Sequence, residues 1–94
     1  MGVTKHDRIA QQIADKKGTE YHADKGVDIR TSAQAIEVEV DPGKFKEGVQ
    51  QLRGSTKARY LAVPNELVNE AIDYTQGSGV GVMNEHGRIR KRAR

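Results

Sequence analysis

The sequence predicts an α/β fold in which a mixed β-sheet is flanked by helices. Stretches with apolar residues at helical spacing alternate along the chain with short stretches that are apolar throughout or at every second residue, as strands are. Residues 27–40 have the pattern of two strands joined by a tight turn, which must pair antiparallel. The later strand-helix-strand runs require crossovers and parallel pairing. Both kinds of pairing together predict a mixed sheet.

The first helix is predicted over residues 5–17. Thr4 lies three residues before Asp7, which is the spacing of a capping box, although Asp replaces the usual Glu or Gln. Gly18 is suited to end the helix. The next residues, 19–23, have a weaker strand pattern, and 24–26 predict a turn. One face of the helix is apolar, formed by Ile9, Ala10, Ile13 and Ala14.

Acidic residues are concentrated in the two strands of residues 27–40. In the second strand, apolar residues alternate with Glu37 and Glu39, so the two carboxylates lie on one face and the apolar side chains on the other. If residues 31–34 turn the chain back, Asp28 of the first strand lies near Glu37. The stretch therefore predicts a cluster of three carboxylates on one surface of the sheet.

Two further helices and three further strands complete the predicted fold. Asp41 and Pro42 start a second helix over 42–53, since Asp caps and Pro suits the first helical position. The run 58–63 is almost continuously apolar and predicts a central strand covered on both faces. A third helix over 65–75 follows, then glycine-rich residues that predict a turn, a short strand over 80–83 and a returning strand near 88–90.

Length and composition predict one small domain, residues 1–87, followed by a basic C-terminal arm, residues 88–94. A domain of this size buries a modest share of its surface, so we expect a homodimer.

The sequence contains no cysteine, no secretory signal and no apolar run long enough to span a membrane, which predicts a cytoplasmic protein without a membrane partner. The predicted arm contributes +5 to a net charge of +3, leaving −2 for the rest.

Local basicity suits contact with a nucleic-acid backbone, although a solvated, solubilising tail has the same composition. On the second helix, Lys46, Gln50 and Arg53 follow one flank, which is typical both of a phosphate-contacting surface and of an ordinary solvated one. The predicted nucleic-acid-binding residues are Lys46, Arg53, Arg88, Arg90, Lys91, Arg92 and Arg94.

Clustered Asp and Glu oxygens are hard ligands that suit Mg²⁺ or Mn²⁺, and such an ion supports hydrolysis of a phosphodiester bond. An alternating Glu-Val-Glu strand is equally what a solvent-facing strand looks like, so spacing alone leaves both interpretations open. The histidines at positions 6, 22 and 86 have no paired spacing and are interpreted as surface or edge residues.

The order of helix, Gly26-Val27-Asp28-Ile29, turn, Ala35-Ile36-Glu37-Val38-Glu39-Val40, helix and Tyr60-Leu61-Ala62-Val63 resembles the core of the PD-(D/E)XK, or restriction-endonuclease-like, nuclease superfamily. The resemblance covers nearly the whole chain and implies an α-β-β-β-α-β core, here with an added helix and strand. It also implies a Mg²⁺-dependent nuclease acting on DNA. Val27 replaces the family's Pro before the first acid, and Glu39 stands where Lys is usual, as in some restriction enzymes.

Carried over to this sequence, the resemblance makes Asp28 and Glu37 the metal-binding acids, with Mg²⁺ or Mn²⁺ as the cofactor. The implied catalytic residues are Asp28, Glu37 and Glu39, with Glu39 as a further ligand or base. The alternatives are a non-catalytic nucleic-acid-binding module on the same fold and a protein-interaction subunit with no nucleic-acid partner. DNA binding without metal-dependent cleavage separates the binding module from the nuclease. Absence of DNA binding at low salt favours the interaction subunit.

Overall fold

A five-stranded mixed sheet forms the centre of the computed structural model, which describes residues 4–22 and 27–94. The strands are β1 (Ile29–Arg30), β2 (Gln34–Val38), β3 (Ala58–Ala62), β4 (Gly81–Met83) and β5 (Ile89–Lys91), and they lie side by side in sequence order. β1 pairs antiparallel with β2, β2 with β3 and β3 with β4 are parallel, and β5 returns antiparallel to β4. The predicted mixed sheet is confirmed.

Three α-helices cover the sheet: α1 (Lys5–Lys16), α2 (Phe45–Leu52) and α3 (Val68–Tyr74). The last two begin with single 3₁₀ turns, Pro42–Lys44 and Asn65–Leu67, so the predicted helices 42–53 and 65–75 are present with a tighter first turn. The prediction of 5–17 for α1 is correct to one residue, and the Thr4 hydroxyl accepts a hydrogen bond from the Asp7 N–H as predicted.

The sheet separates two apolar clusters. On one face, the predicted apolar side of α1 packs against residues that include Ile36, Val38 and Tyr60. On the other face, α2 and α3 pack against residues that include Leu61 and Val82. β3 is the third of five strands and is buried from Tyr60 onward, which confirms the predicted central strand. The described helices include none that is long and apolar enough to cross a membrane.

The acidic hairpin is present, with shorter strands than predicted. β1 contains only two residues, so Asp28 lies just before it, and β2 ends two residues before Val40. The weak strand expected over 19–23 is reduced, within its described residues, to a single bridge between Tyr21 and Ile29. Ala23 and the turn expected over 24–26 lie outside the described residues.

The segment 88–94, predicted as an arm, is joined to the sheet through β5. The ammonium group of Lys91 donates to three oxygens at the end of α3 and the start of β4: Thr75 O at 3.0 Å, Thr75 Oγ1 at 3.1 Å and Val80 O at 2.9 Å. Beyond β5, the Ala93 N–H donates to the Tyr60 hydroxyl and the Arg94 N–H to the Gly79 carbonyl. Lys91 therefore has its hydrogen-bond donors engaged inside the chain, whereas the arginines of the segment are exposed.

Candidate functional site

The predicted acidic pair, Asp28 and Glu37, lies at the end of the sheet where the parallel strands have their carboxyl termini. Asp28 precedes β1 and Glu37 is the fourth residue of β2, and the antiparallel register brings them side by side. The Asp28 N–H donates to Glu37 Oε1 at 3.2 Å, and the Val38 N–H donates to Asp28 Oδ2 at 2.9 Å. These crossed hydrogen bonds hold each carboxylate against the backbone of the other strand.

Both acids are buried, which the alternating pattern of β2 does not indicate. Asp28 is 6% exposed and Glu37 is 8% exposed. The solvent-facing interpretation of the Glu-Val-Glu strand is therefore wrong for Glu37. The reason is that β2 has a parallel neighbour on one side, the β1 strand on the other and helices over both faces.

Glu39 lies just beyond β2, beneath α2. A Cβ atom placed on Gly48 of α2 would lie 2.9 Å from Glu39 Cγ and 2.8 Å from Leu61 Cδ1, so only glycine allows the helix to approach this closely. Burial raises the pKa of Glu39 to about 7, and the positive charge of His6 opposes this rise. A carboxyl group with such a pKa exchanges protons near neutral pH.

His6 is the site residue that the sequence did not indicate. Its Nε2 lies 3.1 Å from Asp28 Oδ2, although the two residues are 22 positions apart. The interpretation of His6 as a surface or edge residue accounts for its partial exposure but not for this ion pair. His6 lies on α1 one turn before the buried face, so its position at the edge of that apolar face is the signal that could have directed attention to it.

The protonation of His6 follows from its two neighbours. The Tyr21 hydroxyl donates its single proton to Asp7 Oδ1 at 2.7 Å, so at the 3.2 Å contact between the same hydroxyl and His6 Nδ1 the histidine must be the donor. With Nε2 donating to Asp28, the ring is an imidazolium. The hydrogen bond to Asp28 raises the pKa of His6 to about 9, against the opposing effect of burial.

Glu37 has an unusually high proton affinity for a carboxylate. Burial is the main cause, and the negative charge of Asp28 adds to it, so the pKa of Glu37 rises to about 8. At neutral pH the site therefore contains a histidine cation and a largely protonated Glu37 on either side of Asp28. Within residues 4–22 and 27–94, no group of three or more His, Cys, Asp or Glu residues is arranged to hold a metal ion.

The predicted nucleic-acid-binding residues are not gathered at this site. Lys46 on α2 and Arg53, the residue that follows the helix, are exposed, as the flank pattern predicts. The basic residues of 88–94 lie on β5 or next to its ends, and β5 is the edge strand on the opposite side of the sheet from β1. The structure thus brings Asp28, Glu37, Glu39 and His6 together and leaves the basic residues spread over other surfaces.

Comparison of this chain with models of known protein families, with curated proteins and with solved structures finds no match. Fold and site define the class: an α/β protein with a mixed five-stranded sheet and, at the carboxyl ends of its parallel strands, two buried carboxyl groups paired with a partly exposed histidine.

The pKa shifts of Glu37 and His6 predict that the free energy of unfolding falls as pH rises from about 5 to 9. Glu37 releases its proton near its ordinary value of 4.5 when unfolded but near 8 when folded. The stabilisation from protonated His6 is complete below 6.5 and is lost as pH passes about 9. In both cases the folded state binds more protons, so the free energy of unfolding falls by several kcal/mol over this range.

Urea unfolding followed by circular dichroism at several pH values, without divalent metal, measures this dependence. The variants Glu37→Gln and His6→Gln should each flatten it, whereas Glu70→Gln on the exposed surface of α3 should leave it unchanged. A free energy of unfolding that rises over this pH range would contradict the assignment.

Proposed function

We propose that this chain is a metal-dependent nuclease that hydrolyses phosphodiester bonds of DNA, with Asp28 and Glu37 as the metal ligands. The observation that carries the proposal is the crossed pair of hydrogen bonds that holds these two buried acids together. They lie at the carboxyl ends of the parallel strands, which is where open α/β sheets bind their ligands.

The order of the elements supports the same proposal. α1, the bridge at Tyr21, β1, β2, α2 and β3 follow one another as expected for an α-β-β-β-α-β core of the restriction-endonuclease-like type, with β2 and β3 parallel. α3, β4 and β5 are then additions to that core, β5 being the returning strand expected near 88–90. A domain this small is proposed to act as a homodimer.

The donor set of the acidic pair suits Mg²⁺ or Mn²⁺. Among the hydrogen bonds of the described residues, none is donated to Asp28 Oδ1 or Glu37 Oε2, which leaves one oxygen of each acid for a ligand. Mg²⁺ is commonly held by one or two carboxylates together with water and substrate phosphate, so the absence of a third protein ligand is compatible with it. Such an ion supplies an activated water and stabilises charge on the phosphoryl group.

The residues around the pair have separate proposed roles. Glu39, with a pKa of about 7, accepts a proton from the attacking water at neutral pH. The hydrogen bond from Tyr21 to Asp7 fixes the hydroxyl oxygen that receives the His6 N–H, and His6 in turn orients Asp28. Lys46 on α2, Arg53 just after it and the arginines of 88–94 contact the phosphate backbone outside the site.

The second candidate is a non-catalytic nucleic-acid-binding or protein-interaction module on the same fold. The ion pair of His6 with Asp28 favours it, because this pair already compensates one carboxylate charge without a metal. This module binds DNA in a salt-sensitive way that does not change on adding Mg²⁺.

The test of the nuclease proposal combines cleavage with metal binding. Wild-type protein is incubated with double-stranded, single-stranded and branched DNA in Mg²⁺ or Mn²⁺, and separately titrated with each ion while the backbone amide signals of Asp28, Glu37 and Glu39 are followed by NMR. We expect cleavage and shifts localised to these amides, both lost in Asp28→Asn. Uncut DNA of all three kinds together with an absence of localised shifts would rule out the nuclease and leave the binding module.

A further inference from the structure

A basic groove lies at the end of the sheet opposite to the acidic cluster, beside β4 and β5. It is formed between the turn that precedes β4 and the segment that follows β5, and it encloses about 370 Å³. Because the turn leads directly into the first residue of β4, the groove lies at the amino ends of the parallel strands. Its lining residues are Gln76, Gly77, Gly79, Lys91, Arg92 and Arg94.

A fourth cation comes from the neighbouring strand. Arg59, the second residue of β3, extends to the turn, where a Cβ on Gly79 would lie 3.0 Å from its Nη2. Gly79 has φ of +80°, so glycine is favoured there both by its backbone conformation and by the guanidinium group beside it. Four positively charged side chains thus converge on one groove.

None of these four cations forms an ion pair with a side-chain carboxylate among the described residues. The ion pairs found among residues 4–22 and 27–94 are those of Lys5 with Glu66 and of His6 with Asp7 and Asp28, none of which involves the groove. The charge of Arg94 also contributes, after burial, to lowering the pKa of Lys91. Like charges crowded in this way bind an anion favourably.

The arginines and Lys91 differ in what they can offer a ligand. Lys91 donates to three oxygens of Thr75 and Val80, so it adds charge to the groove while its hydrogen bonds are used internally. Guanidinium groups are suited to binding phosphate oxygens through paired N–H donors. The lining contains no large apolar side chain that could anchor the groove to a lipid surface.

We propose that this groove binds a phosphate group of a nucleic-acid backbone, with Arg59, Arg92 and Arg94 as donors and Lys91 as a structural cation. The choice of nucleic acid as the source of the phosphate rests on the proposed function, whereas the groove itself is separate from the acidic cluster. The groove gives the chain a contact to the nucleic-acid backbone at the end of the sheet opposite to Asp28 and Glu37. It also adds Arg59 to the nucleic-acid-binding residues predicted from the sequence.

The test compares two double variants that lose the same charge. Arg59→Gln/Arg92→Gln removes two groove donors, and Arg8→Gln/Lys17→Gln removes two cations from α1 and its end. Binding of a fluorescein-labelled oligonucleotide is measured by anisotropy in EDTA, single-stranded and as a duplex, between about 50 and 200 mM NaCl. We expect the groove variant to bind roughly 10-fold more weakly with a salt slope reduced by about two, and the control to lose less than about 2-fold.

A second measurement locates the phosphate. Inorganic phosphate should shift the amide signals of Gly77 and Gly79 in the wild type and not in the groove variant, with circular dichroism confirming that both double variants are folded. Equal affinities of the two double variants would overturn the proposal. So would binding to phosphatidylserine vesicles that depends on Arg59 and Arg92 without such a dependence for the oligonucleotide. Groove-dependent binding without cleavage would overturn the nuclease alone.

Discussion

Replacing Glu37 with glutamine is expected to abolish metal-dependent cleavage while making the protein more stable. Glutamine keeps an oxygen that can accept the Asp28 N–H but removes a negative charge from a metal ligand. Loss of several kcal/mol of transition-state stabilisation reduces the cleavage rate by at least about 1000-fold. The same change removes a buried group whose pKa of about 8 disfavours folding at high pH, so stability at pH 9 rises by at least about 1 kcal/mol.

The opposite signs of the two effects make the experiment decisive. Single-turnover cleavage in Mg²⁺ gives the rate, and urea unfolding at pH 9 without metal gives the stability. Glu70→Gln, an equal loss of charge on the exposed surface of α3, is the matched control and should change neither by much. A Glu37→Gln protein that cleaves DNA at the wild-type rate would remove Glu37 from the proposed site. A less stable protein at pH 9 would contradict its raised pKa.

Gly81→Ala is expected to be the most destabilising single substitution considered for this chain. Gly81 lies in β4, and a Cβ there would be 2.5 Å from three atoms: Ala93 N, Lys91 O and Tyr60 Cε1. Two of them are backbone atoms of β5 and the residues after it, so the clash can be relieved only by separating β5 from β4. Overpacking of this kind costs about 3 kcal/mol, which corresponds to a fall in Tm of roughly 15 °C in a domain of this size.

Gly54→Ala provides the matched control. No atom lies within 4 Å of a Cβ at Gly54, so its stability should stay within about 0.5 kcal/mol of wild type. Thermal unfolding followed by circular dichroism measures both variants. If Gly81→Ala melted at the wild-type temperature, the docking of β5 and of the residues after it against Tyr60 would be incorrect.

Local patterns were sufficient to predict the elements of the fold. Helical spacing and the Thr4 cap located α1 to within one residue, because cap and first turn are made by residues close in sequence. The hairpin of β1 and β2, the central position of β3 and the return through β5 were also predictable, since turns and alternation are local. Element ends were less predictable: two helices begin as 3₁₀ turns and β2 ends early.

Only part of the candidate site could be predicted from the sequence. Asp28 and Glu37 could be placed together because one hairpin carries both. The pairing of His6 with Asp28 could not, since it depends on how α1 crosses the sheet. The burial that raises the pKa of Glu37 likewise comes from neighbouring strands and helices, which the alternation of β2 does not contain.

The sequence by itself determined the kinds of element, their order and the acidic pair, because hydrogen bonds and side-chain periods within a few residues specify these. The tertiary structure alone decided which distant residues meet: His6 at Asp28, Lys91 at the end of α3, and Arg59 beside Gly79. The physical reason is that a side chain's charge, pKa and donors depend on what packs around it, and that packing forms only when the helices close over the sheet.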